Sequence, residues 1–126
     1  MTNKIVLSIG SNSVDKVVQM QCCIEWLHVM LNNVKVSSVY STSALNGVDA
    51  DYLNAVVIAD VECEFADCKC LMKKYEASCG RTPESKFKGS IPIDIDIVIW
   101  NKDVVKPKDV AQSYFIKGWE ELTIGK

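Results

Sequence analysis

Histidine and arginine are almost missing from this chain. His28 is the only histidine, Arg81 is the only arginine, and none of the six cysteines forms a C-x-x-C pair. Structural zinc sites need closely spaced cysteine and histidine ligands, so such a site is poorly supported. A Ser-His-Asp arrangement would depend on His28, which falls inside a predicted helix between Leu27 and Val29. There a packing role is far more common than catalysis.

Other common signals are also absent. The phosphate-binding pattern G-x-x-x-x-G-K-[ST] does not occur. No apolar run approaches the length of a membrane span, and the start "MTNKIVLSIGSN" has too short an apolar run for a signal peptide. The net charge of −2 and the pI near 5.4 give no basic surface for nucleic acid. We therefore expect a cytoplasmic protein that binds neither nucleic acid nor membrane.

What the chain does contain is the composition of an ordinary globular protein. Hydrophobic residues make up 48% of it and charged residues 24%. Its 126 residues are enough for one modest core, so we expect a single domain over residues 1–126. The cysteines are expected to be reduced packing residues, with Cys79 as the one to test for reactivity.

Hydrophobic periodicity predicts alternating strands and helices. The expected strands are residues 4–10, 34–42, 52–62 and 93–100, and the expected helices run from about residue 13 to 31 and from 65 to 80. Two short pieces follow, around Val104 and from Tyr114 to Leu122. The order βαββαβ indicates an α+β fold of the ferredoxin-like type, with an antiparallel sheet and two helices packed on one face.

The last predicted strand, "IDIDIVIW", carries two carboxylates in an otherwise apolar run. Because side chains alternate along a strand, Asp94 and Asp96 lie on one face, about 7 Å apart at Cα, together with Val98 and Trp100. The other face is expected to hold only isoleucines, from Ile93 to Ile99. Two carboxylates this close at a covered rim repel each other unless a cation lies between them.

The loop before this strand is basic. Arg81, Lys86 and Lys88 lie in "GRTPESKFKG" and precede the two aspartates. Cations beside paired carboxylates suit a polyphosphate carried on Mg²⁺. On these residues alone, a solvated basic loop beside a polar strand face is an equally good interpretation.

Several motifs together resemble 6-hydroxymethyl-7,8-dihydropterin pyrophosphokinase of folate biosynthesis. They are "SIGSN", "YLNAVV", "CGR", "IPIDIDI" and "YFIKGW", in the family's order and over nearly the whole chain. The resemblance implies a shortened, divergent member with a ferredoxin-like fold. It also implies transfer of pyrophosphate from ATP to a pterin hydroxymethyl group, with two Mg²⁺ ions. ATP and the pterin would be the partners of a monomeric enzyme.

The resemblance also assigns residues. Asp94 and Asp96 match the metal-binding pair and, with Arg81, would be catalytic. The pterin-binding positions would be Leu45, Tyr52, Asn54 and Trp119. The nucleotide-binding positions would be Glu76, Arg81, Lys86, Lys88, Ile97, Tyr114 and Lys117. A simpler interpretation makes Tyr52 and Trp119 packing aromatics and Asn54 a residue of the strand start.

Two substitutions depart from the family pattern. Ile91 stands where the family has an arginine three residues before the first aspartate, and Tyr114 aligns with a histidine. Neither carries positive charge, so lysines would have to supply it. Three hypotheses follow: an active pyrophosphokinase, a relative that binds pterin or nucleotide without catalysis, and a ferredoxin-like interaction module.

Overall fold

A computed structural model describes residues 2–124, apart from the side chain of Lys86. The six strands are β1 (Asn3–Ser11), β2 (Asn32–Val36), β3 (Tyr40–Thr42), β4 (Tyr52–Val61), β5 (Asp94–Trp100) and β6 (Asp103–Val104). The helices are α1 (Lys16–Met30), α2 (Phe65–Ser78), α3 (Ser85–Lys88), α4 (Pro107–Val110) and α5 (Ser113–Ile124). Within these residues no helix is both long enough and apolar enough to cross a membrane.

The strands form one antiparallel sheet in the order β2-β4-β1-β5-β6, and β3 also pairs with β4. The central strand β1 pairs with β4 along its whole length and with β5 from Ile5 to Gly10. The C-terminal end of β1 therefore lies beside the N-terminal ends of β4 and β5. The predicted α+β, ferredoxin-like architecture is confirmed. Both long predicted helices, α1 and α2, pack on the same face of the sheet, as expected.

Alternation along the strands divides the core into two clusters. On the first face, Ile5, Leu7 and Ile9 of β1 pack with Met20 of α1 and Met72 of α2. The second face carries a smaller cluster of buried residues: Val6, Val56, Val98 and Phe115. Phe115 belongs to α5, so α5 covers part of the second face.

The C-terminal piece is therefore more than the short segment predicted from Tyr114 to Leu122. α5 runs over 12 residues and packs closely against β4 through Gly118. A Cβ atom at Gly118 would lie 2.6 Å from Cγ2 of Val56 and 2.9 Å from Oγ of Ser37. This glycine lets the helix backbone approach the sheet, a tertiary contact that periodicity does not reveal.

The predicted faces of β5 are wrong at its C-terminal end, because the strand contains a β-bulge. Val6 pairs with Ile99, whereas the next residue, Leu7, pairs with Ile97, so Val98 is an extra residue. Val98 and Ile99 both pack on the second face, and Trp100 returns to the first. The expected apolar face therefore ends at Ile97, and Trp100 does not share a face with the aspartates.

The predicted strand 34–42 is also wrong in one respect, because it is split into β2 and β3. Ser37 lies between them, and its side chain takes part in the ladder. The Ser37 backbone N–H donates to the carbonyl of Val56 at 2.9 Å, and the Val56 N–H donates to Oγ of Ser37 at 2.9 Å. The hydroxyl replaces a backbone acceptor, which allows the chain to bend without leaving a buried donor unpaired.

Candidate active site

The second face of the sheet changes from apolar to polar along its length. α5 covers Val56 and Val98, whereas the neighbouring positions toward the other end hold polar side chains or none. Ser8 pairs with Asp96, and Gly10 lies between Asn54 and Asp94 on the adjoining strands. Ser8, Gly10, Asn54, Asp94 and Asp96 therefore form a polar floor on one half of this face, while α5 covers the other half.

A cavity of about 310 Å³ opens above this floor. The loop between β3 and β4 and the loop before β5 form its walls. The lining residues are Ser8, Ile9, Gly10, Thr42, Ser43, Ala44, Leu45, Asn46, Asp49, Tyr52, Asn54, Gly89, Ile91, Asp94 and Tyr114. Its size and its mixture of aromatic, amide and carboxylate groups are typical of a small-molecule site.

Asn54 and Tyr52 enter the cavity from the start of β4. Asn54 is 5% exposed, and its Nδ2 donates to Oγ1 of Thr42, which fixes the amide orientation. A Cβ atom at Gly10 would lie only 2.8 Å from Oδ1 of Asn54. The glycine therefore makes room for the amide. Burial raises the pKa of Tyr52, and the nearby Asp94 carboxylate adds to that rise, so the phenol stays neutral.

The two aspartates of β5 are strongly coupled. Burial, followed by the charge of Asp96, raises the pKa of Asp94 to about 7. Burial also acts to raise the pKa of Asp96, but its hydrogen bonds with Asp94 and Lys106 lower it overall. Near neutral pH the pair therefore tends to share one proton, which is how close carboxylates avoid a double charge. A divalent cation would remove the same repulsion.

Arg81 holds Asp94 from the other side. Its Nη1 donates to Oδ1 of Asp94 at 2.7 Å, to Oε2 of Glu76 at 3.1 Å and to the carbonyl of Ile93 at 3.2 Å. Glu76 is 3% exposed, and its Oε2 also accepts from the backbone N–H of Ile95 at 2.7 Å. α2 therefore places a buried carboxylate against β5, and that carboxylate orients the arginine toward the aspartate.

Asp96 faces a second, narrower site. A groove along β5 runs between α2 and the connection from β6 to α4. Its lining residues are Phe65, Lys69, Met72, Lys73, Ile95, Asp96, Ile97, Val105 and Lys106. Nζ of Lys106 lies 2.6 Å from Oδ1 of Asp96. Apolar walls with three lysines suit a flat group that carries negative charge.

Comparison with known proteins identifies the family of this chain. Residues 6–124 match the sequence model of the family described as 7,8-dihydro-6-hydroxymethylpterin-pyrophosphokinase (HPPK). The chain belongs to the HPPK family. It is 30% identical over 105 residues to the 2-amino-4-hydroxy-6-hydroxymethyldihydropteridine pyrophosphokinase of Aquifex aeolicus (strain VF5). That match covers 82% of this chain and 65% of the relative, so the chain spans about two thirds of the relative's length.

The acid pair fits the Mg²⁺ that the HPPK family implies. Its donors are carboxylate oxygens, which Mg²⁺ prefers, and burial together with the neighbouring Asp96 charge raises the pKa of Asp94, a rise that a bound cation would oppose. Among residues 2–124 no group of three or more His, Cys, Asp or Glu side chains is placed to hold a metal. Two carboxylates alone suit an ion that keeps water molecules and takes further ligands from phosphate.

The structure brings many of the residues predicted from the HPPK resemblance together. Leu45, Tyr52, Asn54, Asp94 and Tyr114 line the cavity. Asp96 and Ile97 line the groove. Glu76 and Arg81 line a further cleft of about 310 Å³ beside Lys73. Asp94 thus belongs to the cavity, Asp96 to the groove, and Arg81 of the cleft pairs with Asp94.

Three other predicted residues, Trp119, Lys117 and Lys88, line neither the cavity nor the groove. Trp119 stacks on Phe115 with ring centroids 5.8 Å apart, packs with the second cluster and is absent from the cavity lining. Nζ of Lys117 lies 5.2 Å from the ring centroid of Tyr40. Lys88 ends the short helix α3 and is exposed. The side chain of Lys86 falls outside the described part of the chain. The assignment of Trp119 to the pterin and of Lys86, Lys88 and Lys117 to the nucleotide therefore stays a prediction.

Some residues of the site were not predicted. Gly10 had a signal, since a glycine near the end of a strand often marks a close approach of another group. Lys106 and Lys73 had none, because only the packing of α2 and of the β6–α4 connection brings them into the groove, where Lys106 pairs with Asp96 and Lys73 pairs with Glu76. Tyr114 was predicted for the nucleotide, yet it lines the cavity and donates to Oδ1 of Asp109 at 2.8 Å.

Asn12 joins the two loops that wall the cavity. Its buried side chain donates to the carbonyls of Gly89 at 2.9 Å and Ala50 at 3.3 Å, and it accepts from the N–H of Ile91 at 2.6 Å. Both loops therefore depend on one amide for their position. This contact fixes the mouth of the cavity relative to β1.

Asn12→Ala is expected to loosen both loops. Three hydrogen bonds are lost, and the N–H of Ile91 is left without its side-chain partner. We expect the free energy of unfolding to fall by about 2 kcal/mol and the Ile91 amide to exchange its hydrogen faster, measured by NMR hydrogen exchange. Asn32→Ala, at an exposed position of β2, is the control and is expected to change neither. Unchanged exchange at Ile91 would contradict the role of Asn12.

Proposed function

We propose that this chain transfers a pyrophosphoryl group from ATP to the hydroxymethyl group of 6-hydroxymethyl-7,8-dihydropterin, the reaction from which its family takes its name. The observation that carries the proposal is the position of the acid pair between two sites of different shape. Asp94 lines the cavity, and Asp96, two residues along the same strand, lines the groove. A transfer between two substrates needs both held beside one charged centre.

The cavity is the proposed pterin site. Tyr52 offers a ring for stacking, and Asn54 offers an amide whose orientation is already fixed by Thr42. Leu45, which is 75% exposed at the rim, and the ring of Tyr114 complete the proposed contacts. A flat, amide-rich heterocycle matches these groups better than a flexible or purely apolar ligand.

The groove is the proposed nucleotide site. Its buried Ile97 and its apolar neighbours Phe65 and Met72 would contact the base, while the lysines and Arg81 would face the phosphates. Glu76 is too fully engaged with Arg81 and Ile95 to serve as a free ligand. We propose that Glu76 positions Arg81 and does not itself bind the nucleotide.

The chemistry asks little covalent work of the protein. The hydroxymethyl oxygen attacks the β-phosphorus and loses its proton to solvent, the bond from that phosphorus to the α,β-bridging oxygen breaks, and AMP leaves with that oxygen. Asp94 and Asp96 would hold Mg²⁺, which when bound would offset phosphate charge. Arg81 would stabilise negative charge on the transferring group, and the two aspartates would fix its position relative to the pterin.

The direct test is AMP formation from ATP and 6-hydroxymethyl-7,8-dihydropterin, with and without Mg²⁺. We expect AMP only when both substrates and Mg²⁺ are present. Pantoate, another alcohol-bearing metabolite, serves as a control acceptor and should yield none. Binding of Mg-ATP without AMP formation would instead support the alternative of a relative that binds nucleotide without catalysis. The uncharged Ile91, at the position where the family has an arginine, favours that alternative. Absence of Mg-dependent ATP binding would overturn the proposal.

A further inference from the structure

Each aspartate of the acid pair is joined to a cation in the structure. Arg81 pairs with Asp94 at 2.7 Å and Lys106 pairs with Asp96 at 2.6 Å. A divalent metal at the same carboxylates would repel both cations. Whatever binds with the metal must therefore give them new partners. Phosphate oxygens would do so, and this step rests on the function proposed above.

The two cations differ in how firmly they are held. Arg81 has a 25% exposed side chain, and it also bonds to Glu76 and to the carbonyl of Ile93, so three acceptors fix one guanidinium nitrogen. Among the described residues, Asp96 is the only hydrogen-bonding or ion-pair partner of the Lys106 ammonium, whose side chain is 44% exposed. A lysine on a flexible stem can move several ångströms without breaking other contacts.

Lys106 is also the lysine best placed for a nucleotide phosphate. It lines the groove beside Asp96, together with Lys69 and Lys73 of α2. Lys117 lies over the ring of Tyr40, on the part of the second face that α5 covers. Ile91, at the position expected to hold an arginine, is 6% exposed and apolar. Position 91, before β5, thus lacks the positive charge of the expected arginine, whereas Lys106, after β5, supplies a positive charge beside Asp96.

We propose that Lys106 is the mobile phosphate-binding cation of this chain. In the free protein it neutralises Asp96, and when the metal and nucleotide bind it moves from the carboxylate to a phosphate oxygen. The lysine therefore competes with the metal alone but cooperates with the metal–nucleotide complex. These two roles have opposite consequences when the charge is removed.

Lys106→Met separates the two roles. It keeps most of the side-chain length and removes the charge. We expect the affinity for Mn²⁺ alone, measured by electron paramagnetic resonance, to rise about 3-fold or more because the competing cation is gone. The affinity for Mg²⁺ with α,β-methylene-ATP, measured by calorimetry, is expected to fall about 10-fold because a charge-assisted hydrogen bond is lost. Both are binding measurements and need no turnover.

Lys108→Met is the matched control. Lys108 is exposed on α4, two residues from Lys106, and makes no ion pair within residues 2–124. It changes the net charge equally, so both affinities should stay within about 2-fold of the wild-type protein if only general electrostatics is altered. Lys106→Arg should keep both wild-type affinities to within a similar factor, which separates loss of charge from loss of fold.

The outcomes distinguish the proposals. If the wild-type protein binds Mg-nucleotide but Lys106→Met matches Lys108→Met in either assay, the role of Lys106 is wrong and the proposed function stands. A decrease of both affinities in Lys106→Met would overturn the competition with the metal. If the wild-type protein binds no Mg-nucleotide, the proposed function fails and the role of Lys106 fails with it.

Discussion

Replacing Asp96 by alanine is expected to abolish AMP formation while leaving the fold intact. The side chain lines the groove, two residues along β5 from Asp94 of the cavity, where the proposed metal and phosphates would meet. Metal coordination contributes several kcal/mol to transition-state stabilisation, and about 1.4 kcal/mol corresponds to a factor of ten in rate. The rate of AMP formation should therefore fall at least about 10³-fold.

Stability should change far less than rate in this variant. Removing Asp96 takes away the negative charge that crowds Asp94, which compensates for the lost, partly exposed pairing with Lys106. The free energy of unfolding, from urea denaturation, should stay within about 1 kcal/mol of wild type. Asp103→Ala, at an exposed position of β6, is the control for AMP formation and should retain the wild-type rate. A near-normal rate in Asp96→Ala would refute the assignment of the acid pair.

Glu76→Ala is expected to produce the largest loss of stability. The buried carboxylate accepts hydrogen bonds from the Ile95 backbone and from Arg81, and its Oε1 lies 3.3 Å from Nζ of Lys73. Removing it leaves the buried N–H of Ile95 without an acceptor and takes one of the three acceptors from the partly buried guanidinium of Arg81. Breaking a buried ion pair on one side costs about 3–5 kcal/mol. Because Arg81 is partly exposed, we expect about 3 kcal/mol.

The urea midpoint measures this loss, and two further variants calibrate it. Glu76→Gln keeps an acceptor for the Ile95 N–H, so the loss should be about half as large. Glu25→Ala replaces an exposed glutamate on α1 and should change the free energy of unfolding by no more than about 0.5 kcal/mol. If Glu76→Ala unfolded at the same urea concentration as Glu25→Ala, the proposed role of Glu76 in holding α2 to β5 would be wrong.

Local patterns were enough to predict most of the fold. Five of the six longest elements follow from period-2 and period-3.6 spacing of apolar residues, so β1, β4, β5, α1 and α2 were expected at nearly their observed positions. The bulge at Val98 and the split at Ser37 depend on pairing with other strands, and no local signal announces them. α5 was underestimated because its anchor, Gly118, argues against a helix unless the sheet beneath it is known.

The acid pair was predictable for a related reason. Two carboxylates in an apolar strand contradict the surrounding pattern, and such contradictions often mark function. What supports the pair was not predictable. Lys106 is ten residues from Asp96, and Asn12 lies 79 residues from the backbone N–H that it holds, so only the folded chain brings them together.

The bulge in β5 has a further consequence. It places two apolar side chains, Val98 and Ile99, directly after Asp96 on one surface of the strand. The carboxylate of Asp96 and the water-free packing at Val98 are therefore only two residues apart along the strand. A substitution that displaces α5 from Val98 would therefore act two residues from the nearer carboxylate, Asp96.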